Sequence, residues 1–483
     1  MRRLFDRIDP RTGARRLRPG RRTPSGRGDH PRRREPGPIA RIVNAWWTRL
    51  LDAVYHGNLS AREAEYESGE TGRDYLWNTL GVGVWGMVFP VLTIVATQLV
   101  GTEQAGMFSI AFVTGTLLMI LANYGVRTFQ VSDIDERASF ASYQVNRWIT
   151  SAVALIAGIL YCSLRGYDAA MTALCMGVYV YKVVDGLADV YEGRLQQADK
   201  LYLAGISQAL RSVAVVAAFT LVLLVTRSTV AAAMGMAAVA VVSFVLLTLP
   251  LAVLETERSR PWKLDEATAL FRHCFPLFGA LFLFNLIESM PKFAMESMLP
   301  YSSQLYFNAL FFPAQGILLA AGFIYKPQLV RLAGIWADPR RRKRFDLIVL
   351  AMLAVIVGLT ALTAAFMGWA GIPLMGFMYG VDFEPYRGLA FAMVAAGGVT
   401  AAIDFLYAIV TVLRQQGSAT RPYLITFGFS LFVPALLVAL TGLPGAVAGY
   451  LVVMAILLVL LAGEYVRIRR GIAERARNPF ARL

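Results

Sequence analysis

Four polar side chains interrupt an apolar stretch, Cys274 to Leu299, that is long enough to cross a bilayer: Asn285, Glu288, Lys292 and Glu296. Spacings of three, four and four stack them on one face of a helix. A charge inside a membrane span costs about 2.5–3.5 kcal/mol on insertion scales, so such groups pair with each other or face a wet cavity. Pro291 lies within the stripe and frees a backbone carbonyl, which suits a water-lined wall. The stripe reads as one side of a polar path. The alternative is a self-neutralised Glu288–Lys292 pair that locks helix packing.

A second stripe closes the apolar stretch near 168–190, where Lys182, Asp185, Asp189 and Glu192 recur at three, four and three. Lys182 and Asp185 are deep, with structural pairing and substrate contact both open, whereas Asp189 and Glu192 are expected to reach water. In the next apolar stretch Arg211 follows Gln208; it either snorkels to the headgroups or neutralises Asp185 on the neighbouring helix. Asp404 stands in its span without a charged neighbour within a turn, two turns after Gly397–Gly398, where a helix could bend. It is a candidate for proton coupling or for a salt bridge between lobes. Gly81–Gly86 spells G-x-G-x-x-G, but inside an apolar span rather than after a soluble strand, so close helix approach is expected instead of a dinucleotide. His30, His56 and His273 are scattered, and Cys162, Cys175 and Cys274 match neither a disulfide framework nor a zinc spacing. No cofactor or metal is expected.

The elements that must position these groups are membrane helices. The chain has 483 residues, of which 57% are apolar and 16% charged, too greasy for a soluble protein. An all-α, polytopic membrane protein of about twelve transmembrane helices is expected, with spans near 75–99, 105–125, 147–164, 168–190, 203–226, 230–253, 274–298, 303–325, 346–369, 387–412, 422–440 and 444–465. An even number puts both termini on one side. Connections on that side hold Arg127, Arg137, Arg147, Arg194, Lys200, Arg258, Arg260, Lys263, Arg272, Lys326, Arg331, Arg340–Arg344, Arg414 and Arg421, against Arg165, Arg227 and Arg387 on the other. The asymmetry places both termini in the cytoplasm, and the cell inner (plasma) membrane is the expected location.

A gap at 254–273 divides the spans six and six, giving an N-lobe at 73–253 and a C-lobe at 274–466. Similarity between TEQAGMFSIAFVTGTLLMILANYGV from Thr102 and SSQLYFNALFFPAQGILLAAGFIYK from Ser302 suggests two repeats related by an axis along the membrane normal. Residues 1–38 form a basic tail expected to be disordered. Residues 39–72 are read as an interfacial amphipathic helix bearing Trp46 and Trp47, then an acidic linker; 467–483 is a basic C-terminal tail. Residues 1–42 hold fourteen arginines against Asp6, Asp9, Asp29 and Glu35, so they supply most of the net charge of +15. Anionic lipid is the expected partner of that tail, not nucleic acid, because no aromatic platform interleaves the arginines. No cleavable leader is visible. The longest loop on the opposite side, around 370–386, has under twenty residues, and no soluble catalytic domain interrupts the spans. Chemistry on a substrate is disfavoured and movement of one is favoured; the chain is not expected to be an enzyme.

Three stretches then carry a resemblance: ANYGVRTFQVSDIDE from Ala122, YEGRLQQADKLYLAGISQALRS from Tyr191 and YGVDFEPYRGLAFAMVAAG from Tyr379. With the six-plus-six layout they make residues 72–470 similar to the Wzx-like polysaccharide-export flippases of the multidrug/oligosaccharidyl-lipid/polysaccharide exporter superfamily, which is MATE-like. The arginine-rich N-terminal extension departs from that family's short leader. The resemblance implies a translocator that turns polyprenyl-diphosphate-linked oligosaccharide from the inner to the outer leaflet, for surface polysaccharide such as lipopolysaccharide. It implies two lobes around a cavity lined by the first, second, seventh and eighth spans. Asn285, Glu288 and Lys292 would line that cavity, with Asn308 and Gln315 on the eighth span. Lys182, Arg211 and Lys292 would meet the diphosphate, and Glu288 and Asp404 would couple transport to protons or sodium. Glycosyltransferases or a polymerase of the same pathway are implied partners. The rival readings are a multidrug or other lipid exporter of the same superfamily, a membrane glycan polymerase or ligase, and a scaffold for glycosyltransferases.

Overall fold

The computed structural model describes residues 70–133, 136–337, 342–413 and 415–477. The basic tail, the amphipathic segment, most of the acidic linker and the last six residues lie outside the described residues. The described chain is helical, with no strand among the described residues: α1 (Glu70–Val100), α2 (Thr102–Asn123), α3 (Val126–Ser132), α4 (Phe140–Arg165), α5 (Ala169–Gln197), α6 (Leu201–Thr226), α7 (Thr229–Ser243), α8 (Leu249–Glu255), α9 (Leu264–Met298), α10 (Ser302–Tyr325), α11 (Leu329–Ala337), α12 (Arg342–Phe366), α13 (Ile372–Tyr379), α14 (Arg387–Val412), α15 (Thr420–Thr441) and α16 (Leu443–Arg477). Twelve helical segments are long and apolar enough to cross a membrane, as the hydropathy pattern predicts. Two of the twelve are compound. α7 and α8 join through a π-helical turn at Phe244–Thr248, and α12 and α13 through another at Met367–Gly371. In each case a proline, Pro250 or Pro373, follows two residues after the turn, and its missing N–H explains the widened hydrogen bonding.

Boundaries differ from the hydropathy reading where α4 begins at Phe140, where α5 runs to Gln197, where α16 runs to Arg477 into the expected C-terminal tail, and in two expected connections. α9 begins at Leu264, so half of the expected linker 254–273 is helix. The ninth span continues to Tyr379, so the loop expected around 370–386 is mostly helix as well. In both, a polar or glycine-bearing flank lowers local hydropathy without breaking the backbone hydrogen bonds.

Side-chain caps start several spans. Ser139 Oγ accepts from Ser142 N at 3.2 Å, and Asp168 Oδ1 accepts from Met171 N at 2.7 Å. At the end of α2, Tyr124 and Gly125 both adopt left-handed backbone, which turns the chain into α3 and points the Tyr124 ring at Phe278 of α9.

The two halves pack by one scheme. In the first, α1 packs on α6, α2 on α5, α5 on α7, and α6 on α7. In the second, the corresponding pairs are α9 with α15, α10 with α14, α14 with α16, and α15 with α16. The repeated pairing is what a six-helix repeat produces. Between the halves, α2 lies against α9 and α10, and α4 against α9. Twelve crossings put the described ends, Glu70 and Arg477, on one side, called here the near side.

Of the three glycines in the G-x-G-x-x-G run, only Gly81 meets another helix. A Cβ there would sit 2.6 Å from the Gly205 carbonyl of α6, and a Cβ on Gly205 would overlap the Trp77 carbonyl. A Cβ at Gly83 or Gly86 would meet no other helix within 4 Å among the described residues. Gly205→Val is expected to cost about 1–3 kcal/mol through overpacking, read as a lower thermal midpoint of the detergent-solubilised protein, while Gly83→Ala leaves that midpoint in place.

Candidate functional site

The near-side half of the first lobe is built around buried charge. Arg211 on α6 and Arg147 on α4 are the largest fully buried side chains among the described residues. Arg211 donates from Nε to Asp185 Oδ1 at 2.9 Å, and from Nη1 to Glu192 Oε1 at 2.9 Å and Thr248 Oγ1 at 3.1 Å. The other Asp185 oxygen accepts from Trp85 Nε1 at 2.7 Å. One turn along α5, Asp189 is clamped between Arg127 Nη1 and Arg147 Nη2, each at 2.8 Å. Arg147 also donates to Asn123 Oδ1 at 2.6 Å and to the Ala122 carbonyl at 3.1 Å.

Three arginines thus face three carboxylates, and the formal charges cancel. Asp189 and Glu192, expected to reach water, are half-buried and buried respectively, because α3, α4 and α6 bring guanidinium groups over them. Arg147, counted among the loop cations, lies inside α4 and is wholly buried. Arg211 takes the second of its two sequence readings and neutralises Asp185, and it holds Glu192 as well.

Lys182 is the charge left over. It is 2% exposed, and its Nζ lies 4.1 Å from the centre of the Phe112 ring, 5.0 Å from Trp85 and 5.1 Å from Tyr181. No carboxylate oxygen lies within 4.0 Å of it among the described residues. Aromatic faces stabilise a desolvated cation, by about 2 kcal/mol in favourable cases, but leave its charge uncancelled.

The stripe on α9 divides into three parts. Asn285 lies at a near-side cleft of about 220 Å³ between the halves, which Asn123, Arg127, Asp189 and Phe278 also line. Glu288 Oε1 accepts from Tyr450 Oη at 3.2 Å and Gln315 Nε2 at 3.5 Å, and the Tyr450 hydroxyl sits 3.0 Å from Thr400 Oγ1. Lys292 is buried with Nζ 4.5 Å from the Phe311 ring centre, and no carboxylate oxygen is within 4.0 Å among the described residues. The self-neutralised Glu288–Lys292 contact is therefore not formed. Glu296 leaves the stripe for the other lobe, where Arg165 Nη2 at 2.8 Å, Tyr161 Oη at 2.9 Å and the Tyr167 hydroxyl surround it.

Asn308 donates to the Gln304 carbonyl at 2.8 Å, and its own side-chain carbonyl is buried without a partner. Asp404 accepts a hydrogen bond from Tyr325, the last residue of α10, so it sits toward the near side rather than at mid-span, and a hydroxyl rather than a cation meets it. The structure thus gathers Glu288, Lys292, Asn308 and Gln315 along the facing surfaces of α9 and α10, keeps Lys182 and Arg211 within the first lobe, and sets Asp404 apart. Trp85 and Tyr450 carry no sequence signal for these contacts, and Asp189, Arg127 and Arg147, each visible in the sequence as a stripe or connection residue, come together as a clamp only in the fold.

No family model and no curated relative matches the chain. Solved structures do. A multidrug resistance MATE family transporter of the MOP superfamily, in its inward-facing conformation, superposes with a TM-score of 0.60 at 13% identity, over 81% of this chain and 98% of that one. A eukaryotic MATE transporter gives 0.55 at 14%, over 84% and 99%. A MOP superfamily transporter from Pyrococcus furiosus, described by the reverse polarity of its binding pocket, gives 0.53 at 13%, over 83% and 95%. The chain shares their fold. At these identities the likeness is one of architecture: twelve helices in two lobes.

Arg211→Ala strips two buried carboxylates of their counter-ion and is expected to cost about 3–5 kcal/mol. Lys182→Met breaks no carboxylate contact and is expected to hold or raise stability. Thermal melts of the two purified variants against the parent separate structural charge from unpaired charge.

Proposed function

We propose that the chain is a membrane transporter that turns a polyprenyl-diphosphate-linked oligosaccharide from the inner to the outer leaflet by alternating access of its two lobes. The observation that carries this reading is that each lobe buries a lysine, Lys182 or Lys292, with no carboxylate within 4.0 Å among the described residues. A sugar–diphosphate head cannot cross hydrocarbon unaided. An anionic head supplies the charge these ammonium groups lack, in charge-assisted bonds stronger than neutral ones. Asn285, Asn308 and Gln315 offer amide groups for sugar hydroxyls. Arg211 leaves the set of substrate cations, since Asp185 and Glu192 hold it.

Glu288, met by a phenol and an amide rather than by a cation, suits coupling to a proton or sodium ion, with Asp404 as a second candidate. The positive loops of the near side favour cytoplasmic termini in an inner membrane. The arginine-rich tail fits anionic lipid, and glycosyltransferases or a polymerase fit as neighbours that make and use the cargo.

The second reading is multidrug export, favoured by the neighbours that are described as multidrug transporters. Loss of the gene separates the two: missing surface glycan supports flipping, and drug sensitivity with intact glycan supports multidrug export. Within the flipping reading, Glu288→Ala with Lys292→Ala is expected to abolish surface glycan while the protein stays in the membrane. Lys182→Met is expected to cut flipping about tenfold, the scale of one lost charge-assisted contact. Normal glycan in the double variant would overturn the assignment of the α9 stripe.

A further inference from the structure

On the far side of the bundle, opposite the described ends, the lobes exchange two carboxylates beside a cleft of about 500 Å³ that Arg165, Tyr167, Glu296 and Tyr301 line. Glu296, on α9 of the second lobe, is held by Arg165 and Tyr161 of α4 and by Tyr167 of the turn into α5, all in the first lobe. Its carboxylate is fully buried there. In the reverse direction, Glu103 at the start of α2 accepts from the backbone N–H groups of Tyr301 and Ser302, at 3.2 and 3.0 Å, where α10 begins. A carboxylate on those N–H groups satisfies donors that have no partner within the helix and lies at the positive end of its dipole.

Arg165 adds a bond to Ser297 Oγ at 3.1 Å. Between the carboxylates the backbones touch: a Cβ on Gly106 of α2 would overlap the Tyr301 carbonyl. On the near side Glu266, in the first turn of α9, accepts from Ser139 N and Ser142 Oγ at the start of α4, each at 2.9 Å; deeper in, the contact between α2 and α9 is the stacking of Tyr124 on Phe278, beside the near-side cleft.

We infer that Glu296 and Glu103 form a paired latch that holds the two lobes shut on the far side and must be released before that side can open. This rests on movement of the lobes and not on which cargo they carry. Glu296 is a positioning residue: the groups on it are all donors from the opposite lobe, so opening strips a buried carboxylate of Arg165, Tyr161 and Tyr167 together, which is costly unless water or a proton replaces them. The missing Cβ at Gly106 is the steric half of the device, because it lets the α10 turn close onto α2.

Spin-label pairs at Thr226→Cys and Asp382→Cys, on the far-side ends of the two lobes, read the device directly in the full-length protein; Cys162, Cys175 and Cys274 are buried and stay in place. The parent is expected to give one short distance. Glu296→Gln should raise the ratio of long to short distances about tenfold or more, the scale of losing a charge-assisted set. Arg165→Gln should reproduce that shift, and the two together should not exceed it by much, since they break one contact. Distances unmoved in Glu296→Gln overturn the proposal. If Glu296→Gln does not reach the membrane folded, Gly106→Val tests the same seal from the other lobe: a shift to long distances supports the latch, and an unchanged distribution overturns it. Transport is not read, so a wrong cargo assignment leaves the result intact.

Discussion

The structure depends on the cost of keeping charge in an apolar bundle. An isolated carboxylate or guanidinium inside hydrocarbon is expensive, and breaking a buried pair leaves its partner stranded. The first lobe answers with Arg211, Arg147 and Arg127 against Asp185, Asp189 and Glu192. These contacts join α3, α4, α5 and α6 on the near side, so the lobe is tied by electrostatics where its outer helices turn broad apolar faces outward. Among the described residues the second lobe has no comparable clamp at its centre; its ion pair of Asp346 with Arg469 joins α12 to the near-side end of α16. Glu288 rests on a phenol and an amide, and Lys292 on aromatic rings. One lobe is braced and the other carries loosely satisfied charge, an asymmetry that identical helix pairing would not suggest.

Much of this architecture is legible in the sequence, because its determinants are local. Hydropathy over a window of about twenty residues finds a span wherever the backbone can satisfy itself, so twelve segments appear where twelve helices are found. Helical spacing likewise groups Glu288 with Lys292, and Lys182 with Asp185, since neighbours three and four apart share a face. Which partner a charge takes is a matter of distant chain. Arg127 and Asp189 are 62 positions apart, Arg165 and Glu296 more than twice that. Spacing therefore makes Glu288 and Lys292 look like a pair, and makes Glu296 look like the next rung of one ladder. In space, the helices packed against α9 decide otherwise. Tyr450 approaches Glu288 from α16, and α4 draws Glu296 away.

The same distinction accounts for the boundaries. A run such as Leu264–Arg272 is too polar for a hydropathy window, yet its N–H and C=O groups pair along the helix as well as those of the apolar part that follows. The ninth span is cut short at 369 for the opposite reason: Pro373 lies just beyond, while the π turn before it absorbs the missing donor and lets the helix go on.

The charge stripe on α5 also bears on how the chain enters the bilayer. Among the twelve crossing segments α5 has the lowest mean hydropathy, 1.3, so on its own it is the poorest candidate for partition into lipid. Its counter-ions lie on both sides in sequence: Arg127 and Arg147 are made before it, and Arg211 after it. A segment with that arrangement is better accommodated in company, held at the insertion machinery until α6 emerges and the hairpin can bury its charges against each other. Assembly order is then written into the same ion pairs that brace the finished lobe.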